Sequence, residues 1–135
     1  MTLFLDACVV IYWIESHASF YAKFLKTLQK LRDENPSASF AVSRLSWLEC
    51  RVKPLQEKNR RLLELYSNFF SMEDLKIIEL DADVVGRAVA LRADYGLRTP
   101  DAFQAASALT LEEELLFLTS DKAFRKVPEL RVITF

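Results

Sequence analysis

Leu3-Phe4-Leu5-Asp6-Ala7-Cys8-Val9-Val10-Ile11-Tyr12-Trp13-Ile14 opens the chain with three apolar residues, one carboxylate and eight further residues without a charge. A short segment apolar at every position suits a strand covered on both faces, as in a parallel sheet. The run after Asp6 suits a helix over about Ala7 to Glu15. It falls far short of the ~20 residues that span a bilayer, and it has no basic leader before it. The expectation is a soluble, cytoplasmic protein with no membrane partner, in which the two distant cysteines, Cys8 and Cys50, are reduced thiols of the core.

The same alternation continues along the chain. Tyr21, Phe24, Leu25, Leu28 and Leu31 follow the i, i+3, i+4, i+7 rule of an amphipathic helix, with Ser19 as its expected cap. Ser39 to Val42 is a second strand, and Ser43 caps a helix through Glu49 and Cys50 that Pro54 closes or kinks. Leu62, Leu63, Tyr66, Phe69 and Phe70 form another helical face. Lys76 to Leu80 is a third strand, followed by a helix that Asp81 caps and Gly96 stops. Thr99-Pro100 restarts a helix rich in alanine, with Thr99 as cap, Pro100 first and Asp101 second. Leu115 to Thr119, a helical turn over Asp121 to Arg125 and a strand over Arg131 to Thr134 complete the pattern. Strands alternating with helices predict an α/β fold, a three-layer α/β/α with a mostly parallel central sheet.

Composition narrows the function. The chain has 135 residues, 51% hydrophobic and 27% charged, enough for the core of one domain over residues 1–135. Two glycines, Gly86 and Gly96, cannot supply the glycine-rich phosphate loops of nucleotide-binding folds. One histidine, His17, and two separated cysteines cannot form a Cys/His zinc site. His17 and Cys8 are assigned no role, and Tyr12, Trp13 and Trp47 are read first as core packing and, more sharply, as a docking groove for a partner segment or a dimer face.

Ligands of open α/β sheets bind beyond the carboxyl ends of the strands. Asp6 and Asp121 each follow an apolar strand, and Glu49 and Asp101 are acids set in otherwise apolar helical sequence. Each has a simpler reading: Asp101 and Asp121 as helix-start residues, Ser46 with Glu49 as a capping box. Asp6 resists it most, because a carboxylate at a buried strand end costs several kcal/mol unless paired or metal-bound. No basic side chain lies within eight positions of it. If the four acids converge, an all-oxygen site selects Mg²⁺ or Mn²⁺ and acts on phosphates.

Four segments carry a resemblance: Leu3 to Tyr12, Ser46-Trp47-Leu48-Glu49, Thr99-Pro100-Asp101-Ala102-Phe103-Gln104-Ala105-Ala106 and Leu118-Thr119-Ser120-Asp121. In this order they resemble the motifs of PIN-domain nucleases, above all the VapC-type toxins of prokaryotic toxin–antitoxin pairs. The resemblance implies a Mg²⁺- or Mn²⁺-dependent endoribonuclease, a hydrolase with Asp6, Glu49, Asp101 and Asp121 as catalytic and metal-holding residues. It also implies an RNA substrate, a cognate antitoxin and a homodimer. The family usually has a small polar residue just after the first Asp, where this chain has Ala7 and Cys8.

Nineteen acidic residues face eighteen basic ones, so setting the four acids aside leaves the remainder net basic. Arg51, Lys53, Arg60 and Arg61 fall in the densest basic stretch, a candidate phosphate track or a solvated helix face. A haloacid-dehalogenase-like phosphatase would need an acid where Cys8 stands. A response-regulator receiver would need its acceptor after a central strand, where Asp81 and Asp83 read as helix caps. The alternative from another class is a non-catalytic PIN-fold module that binds RNA or protein.

Overall fold

A computed structural model describes residues 1–135. The elements run β1 (Thr2–Leu5), α1 (Ala7–Ile14), α2 (Tyr21–Glu34), β2 (Ser39–Ser43), α3 (Arg44–Gln56), α4 (Arg60–Phe70) and β3 (Leu75–Ile78). Then come α5 (Ala82–Tyr95), α6 (Thr99–Leu109), β4 (Leu115–Thr119), a 3-10 turn (Lys122–Lys126) and β5 (Val132–Thr134). The five strands form one sheet in the order β3-β2-β1-β4-β5, and every pairing is parallel. Helices cover both faces, as the alternating pattern requires. From β1 the chain builds outward to β3, then crosses to the other side for β4 and β5. The switch of direction lies between β1 and β4, where such sheets open a crevice.

Alternate residues of each strand feed two separate cores. Leu3, Leu5, Val42, Leu116 and Leu118 face α1 to α4 with Phe24, Tyr66, Phe69 and Phe70. Phe4, Ala41 and Phe117 face α5 and α6, where Ala88, Ala102, Ala105, Ala106 and Ala108 fill the contact. Phe4 and Phe117 are register partners, and their rings stack 5.4 Å apart.

Several local expectations change. Ser19 does not cap α2: Phe20 holds that position without a side-chain bond, and the His17 carbonyl accepts the Phe20 and Tyr21 N–H groups. Pro54 does not close α3, which continues to Gln56. Ser46 and Glu49 form no capping box, because Ser43 caps α3 by accepting the Leu45 N–H and places Ser46 inside the helix. Arg98, not Thr99, is the cap position of α6. Its carbonyl accepts the Ala102 N–H at 2.8 Å, so Thr99 is the first helical residue, Pro100 the second and Asp101 the third. β3 starts one residue early and ends two early, since Asp81 is already committed to capping α5.

Candidate active site

Asp6 stands at the end of β1, where its backbone N–H still donates to the Leu118 carbonyl of β4. That bond fixes it beside Thr119. Its carboxylate is almost buried, at 8% exposure, and fully engaged. Oδ1 accepts the Ala7 N–H at 2.8 Å, which caps α1. Oδ2 accepts from the Thr119 hydroxyl at 2.8 Å and from the Cys8 thiol at 3.4 Å. Burial is the main force on its ionisation and raises its pKa. The three hydrogen bonds oppose that rise, and the negative charge of Asp101 adds to it.

Asp121 follows the neighbouring strand β4. Its N–H donates to Thr119 Oγ1 at 3.0 Å, and its Oδ1 accepts the Ala123 N–H at 2.9 Å, capping the 3-10 turn. Thr119, with no exposed surface, thus receives from the Asp121 backbone while donating to Asp6. One hydroxyl ties the two strand ends together across the switch point.

The other two acids come from helices. Glu49 lies on α3 at the solvent-facing rim and accepts from Gln104 Nε2 at 3.4 Å. Its pKa is raised, chiefly by desolvation and then by the charges of Asp6 and Asp101. Asp101, in the first turn of α6, pairs with the exposed Arg98 guanidinium at 3.2 Å. Asp101 acts on both Asp6 and Glu49, so the three share one electrostatic neighbourhood, and Arg98 is the base whose charge opposes the rise at Glu49. Asp121 joins them through Thr119.

All four donors are hard oxygens, and the repulsion among Asp6, Glu49 and Asp101 is what a divalent cation relieves. The donor chemistry fits such an ion, although as the side chains stand no three of them are close enough to share one. The Cys8 thiol occupies the polar position expected after the first Asp. It donates to Asp6, accepts from the Ser120 hydroxyl at 3.4 Å, and is pushed up to about 11, first by burial and then by the Asp6 charge.

Three participants escaped the sequence reading: Thr119, Gln104 and Arg98. Thr119 and Gln104 lie inside the quoted motifs, but their partners are more than fifty positions away. Trp13 packs in the core against Phe24, Phe40 and Phe69, as expected. Trp47 does not: it is 41% exposed, with the Arg51 guanidinium over its ring. Of the basic stretch, Arg51 also donates to Ser67, Lys53 pairs loosely with Glu57, and Arg60 and Arg61 are exposed at the start of α4.

The family model of the PIN domain matches residues 3–130. Among solved structures, VapBC2 from Rickettsia felis bound to a DNA fragment from its promoter is 20% identical with a TM-score of 0.75. The match covers 99% of this chain and 98% of that one. A toxin–antitoxin complex from Klebsiella pneumoniae is 24% identical with a TM-score of 0.71, over 99% and 97% of the two chains. VapBC-1 from nontypeable Haemophilus influenzae is 17% identical with a TM-score of 0.66, over 99% and 98%. At these identities the likeness establishes the fold. No curated protein matches the sequence significantly.

Proposed function

Because this chain belongs to the PIN-domain family, we propose that it is a Mg²⁺- or Mn²⁺-dependent endoribonuclease, the toxin of a toxin–antitoxin pair. The observation that carries this reading is the placement of Asp6 and Asp121 at adjacent strand ends beside the switch point, joined through Thr119. Glu49 and Asp101 supply charge from the two helices that flank it.

Asp6, Asp101, Asp121 and Glu49 would hold the cation, which when bound neutralises phosphoryl oxygens and lowers the pKa of water to make a nucleophile. Asp6 is held by three hydrogen bonds and acts as the fixed ligand of the set. Thr119 keeps the Asp6 carboxylate turned toward β4. Glu49, at the open rim with a raised pKa, is the group suited to accept a proton from an attacking water. Exposed Lys53, Arg60 and Arg61, with Arg51 beside them, offer positive charge to an RNA backbone.

The solved neighbours are toxin–antitoxin complexes, which supports an antitoxin as partner. An exposed apolar stripe on α3, Leu48, Val52 and Leu55, supports a second copy of the chain as another. No helix is long and apolar enough to cross a membrane, and we place the protein in the cytoplasm with its RNA. A non-catalytic PIN-fold binding module is favoured by one observation, that no three carboxylates stand close enough to share an ion.

The purified protein should cleave single-stranded or loop RNA only with Mg²⁺ or Mn²⁺, and EDTA should stop it. Undiminished cleavage in excess EDTA would exclude the metal mechanism. Unopposed expression should arrest a bacterial host, and Asp101→Asn should relieve the arrest. If Mn²⁺ raises the melting temperature of the parent but not of Asp6→Asn, the metal-holding reading stands over the binding module.

A further inference from the structure

Gln104 has 1% of its surface exposed, on a helix face otherwise packed with alanine. Its Nε2 donates to Ser46 Oγ at 3.0 Å and to Glu49 Oε1 at 3.4 Å, both on α3. Its Oε1 is the one buried side-chain polar atom of the chain with no hydrogen-bond partner. An amide serving only the packing of α6 on α3 would be free to turn over, since the Ser46 hydroxyl can donate as well as accept. The Glu49 carboxylate cannot. Turned over, Oε1 would face a second acceptor, so Glu49 fixes the orientation and the unpaired oxygen is its consequence.

We infer that Gln104 is a positioning residue for Glu49, tethering that rim carboxylate to α6 one turn beyond Asp101. This rests on the metal-holding reading of the four acids. Asp101 and Gln104 are three residues apart and share a face of α6. The helix therefore contributes one carboxylate directly and directs a second through the amide. Without the tether, Glu49 is a long, solvent-facing side chain that binding must immobilise.

The test separates positioning from packing. Gln104→Met keeps the length and removes both polar atoms. In EDTA it should melt at or below the temperature of the parent, since the unpaired oxygen goes with it but the buried Ser46 hydroxyl loses the N–H it accepts. Its Mn²⁺ dissociation constant, read from free Mn²⁺ by electron paramagnetic resonance, should weaken ~10–100-fold, as when a hydrogen-bond partner of a ligand is lost. Ser107→Ala is the control. Ser107 is also buried on α6, where it bonds Ser43 at the end of β2 and none of the four acids. It should lose stability and keep its Mn²⁺ affinity.

Unchanged Mn²⁺ affinity in Gln104→Met overturns the inference, as does equal loss of affinity in Ser107→Ala. A parent that binds no Mn²⁺ fails at the first step, and the metal reading falls with it. If Gln104→Met does not fold, the parent alone decides. The Gln104 side-chain amide resonances should shift saturably as Mg²⁺ is added, and resonances unmoved at saturation overturn the tether.

Discussion

The two faces of the sheet differ in the size of the side chains that the helices bring to them. Against α1 to α4 the space is filled by large rings: Phe24, Tyr66, Phe69 and Phe70, with Trp13 wedged among Phe24, Phe40 and Phe69. Against α5 and α6 the sheet brings the stacked rings of Phe4 and Phe117, and α6 meets them with small residues, Ala102, Ala105, Ala106 and Ala108. Small residues let the α6 backbone lie close to the sheet. Polar side chains can then meet at its contact with β2 and α3: Ser43 with Ser107, and Ser46 with Gln104. Both faces bury large apolar side chains, and the alanine contact of α6 also sets positions. Asp101 and Gln104 ride on that helix.

The largest effect should come from emptying the aromatic face. Phe24 is fully buried and its ring meets those of Trp13 and Phe135. Phe24→Ala should cost about 3–5 kcal/mol in urea denaturation, while the protein that remains folded binds Mn²⁺ as the parent does. Crowding the alanine face should cost less and disturb more. Ala105→Leu should lose about 1–3 kcal/mol and should also weaken Mn²⁺ binding, because α6 must move with Asp101 and Gln104. Equal Mn²⁺ affinity in the two variants would erase the distinction between the faces.

A smaller effect tests the site between them. Burial raises Asp6 and Glu49 above their ordinary values of 3.8 and 4.5, although hydrogen bonds oppose the rise. The metal-free native state then holds more protons than the unfolded chain. The stabilisation is complete below those ordinary values and is lost as pH rises through the raised ones. In EDTA, the double variant Asp6→Asn, Glu49→Gln should gain on the parent as pH goes from about 4 to 7 in urea titrations. A variant that loses ground to the parent over that range would contradict the raised pKa values.

Gly96 ends α5 at φ 66°, with open space where a side chain would lie. Gly96→Ala should therefore cost only its backbone strain, about 1 kcal/mol by thermal melting. Least of all should come from Val89→Lys on the outer side of α5, 65% exposed, expected within about 0.5 kcal/mol.

Periodicity, with its punctuation by Ser, Pro and Gly, located the elements, because the strands are mostly apolar, with Lys76 their one charged residue, and the helices repeat an apolar face. It misjudged Trp47 for a helical reason. The buried stripe of α3 is Ser46, Cys50 and Pro54, two of them small, which turns Trp47, Leu48, Val52 and Leu55 outward. Hydrophobicity by itself pointed the helix the wrong way. Asp6 was legible because nothing near it in sequence could compensate a buried charge. Gln104 was not, since the groups that give it meaning, Ser46 and Glu49, lie 58 and 55 positions away.

What the amino-acid sequence determined is local: strands and helices, set by side-chain period, and the burial of Asp6 at a strand end. The order β3-β2-β1-β4-β5 was decided only by tertiary structure, because apolar strands carry no record of which neighbour they will pair. That order sets Thr119 beside Asp6 across 113 positions. The close seating of α6 does the same for Gln104 and Glu49. Hydrogen bonds between such distant groups exist only once packing has brought the elements together, so the acids could be named in advance only as candidates, and the groups that bond Asp6 and Glu49 could not be named at all.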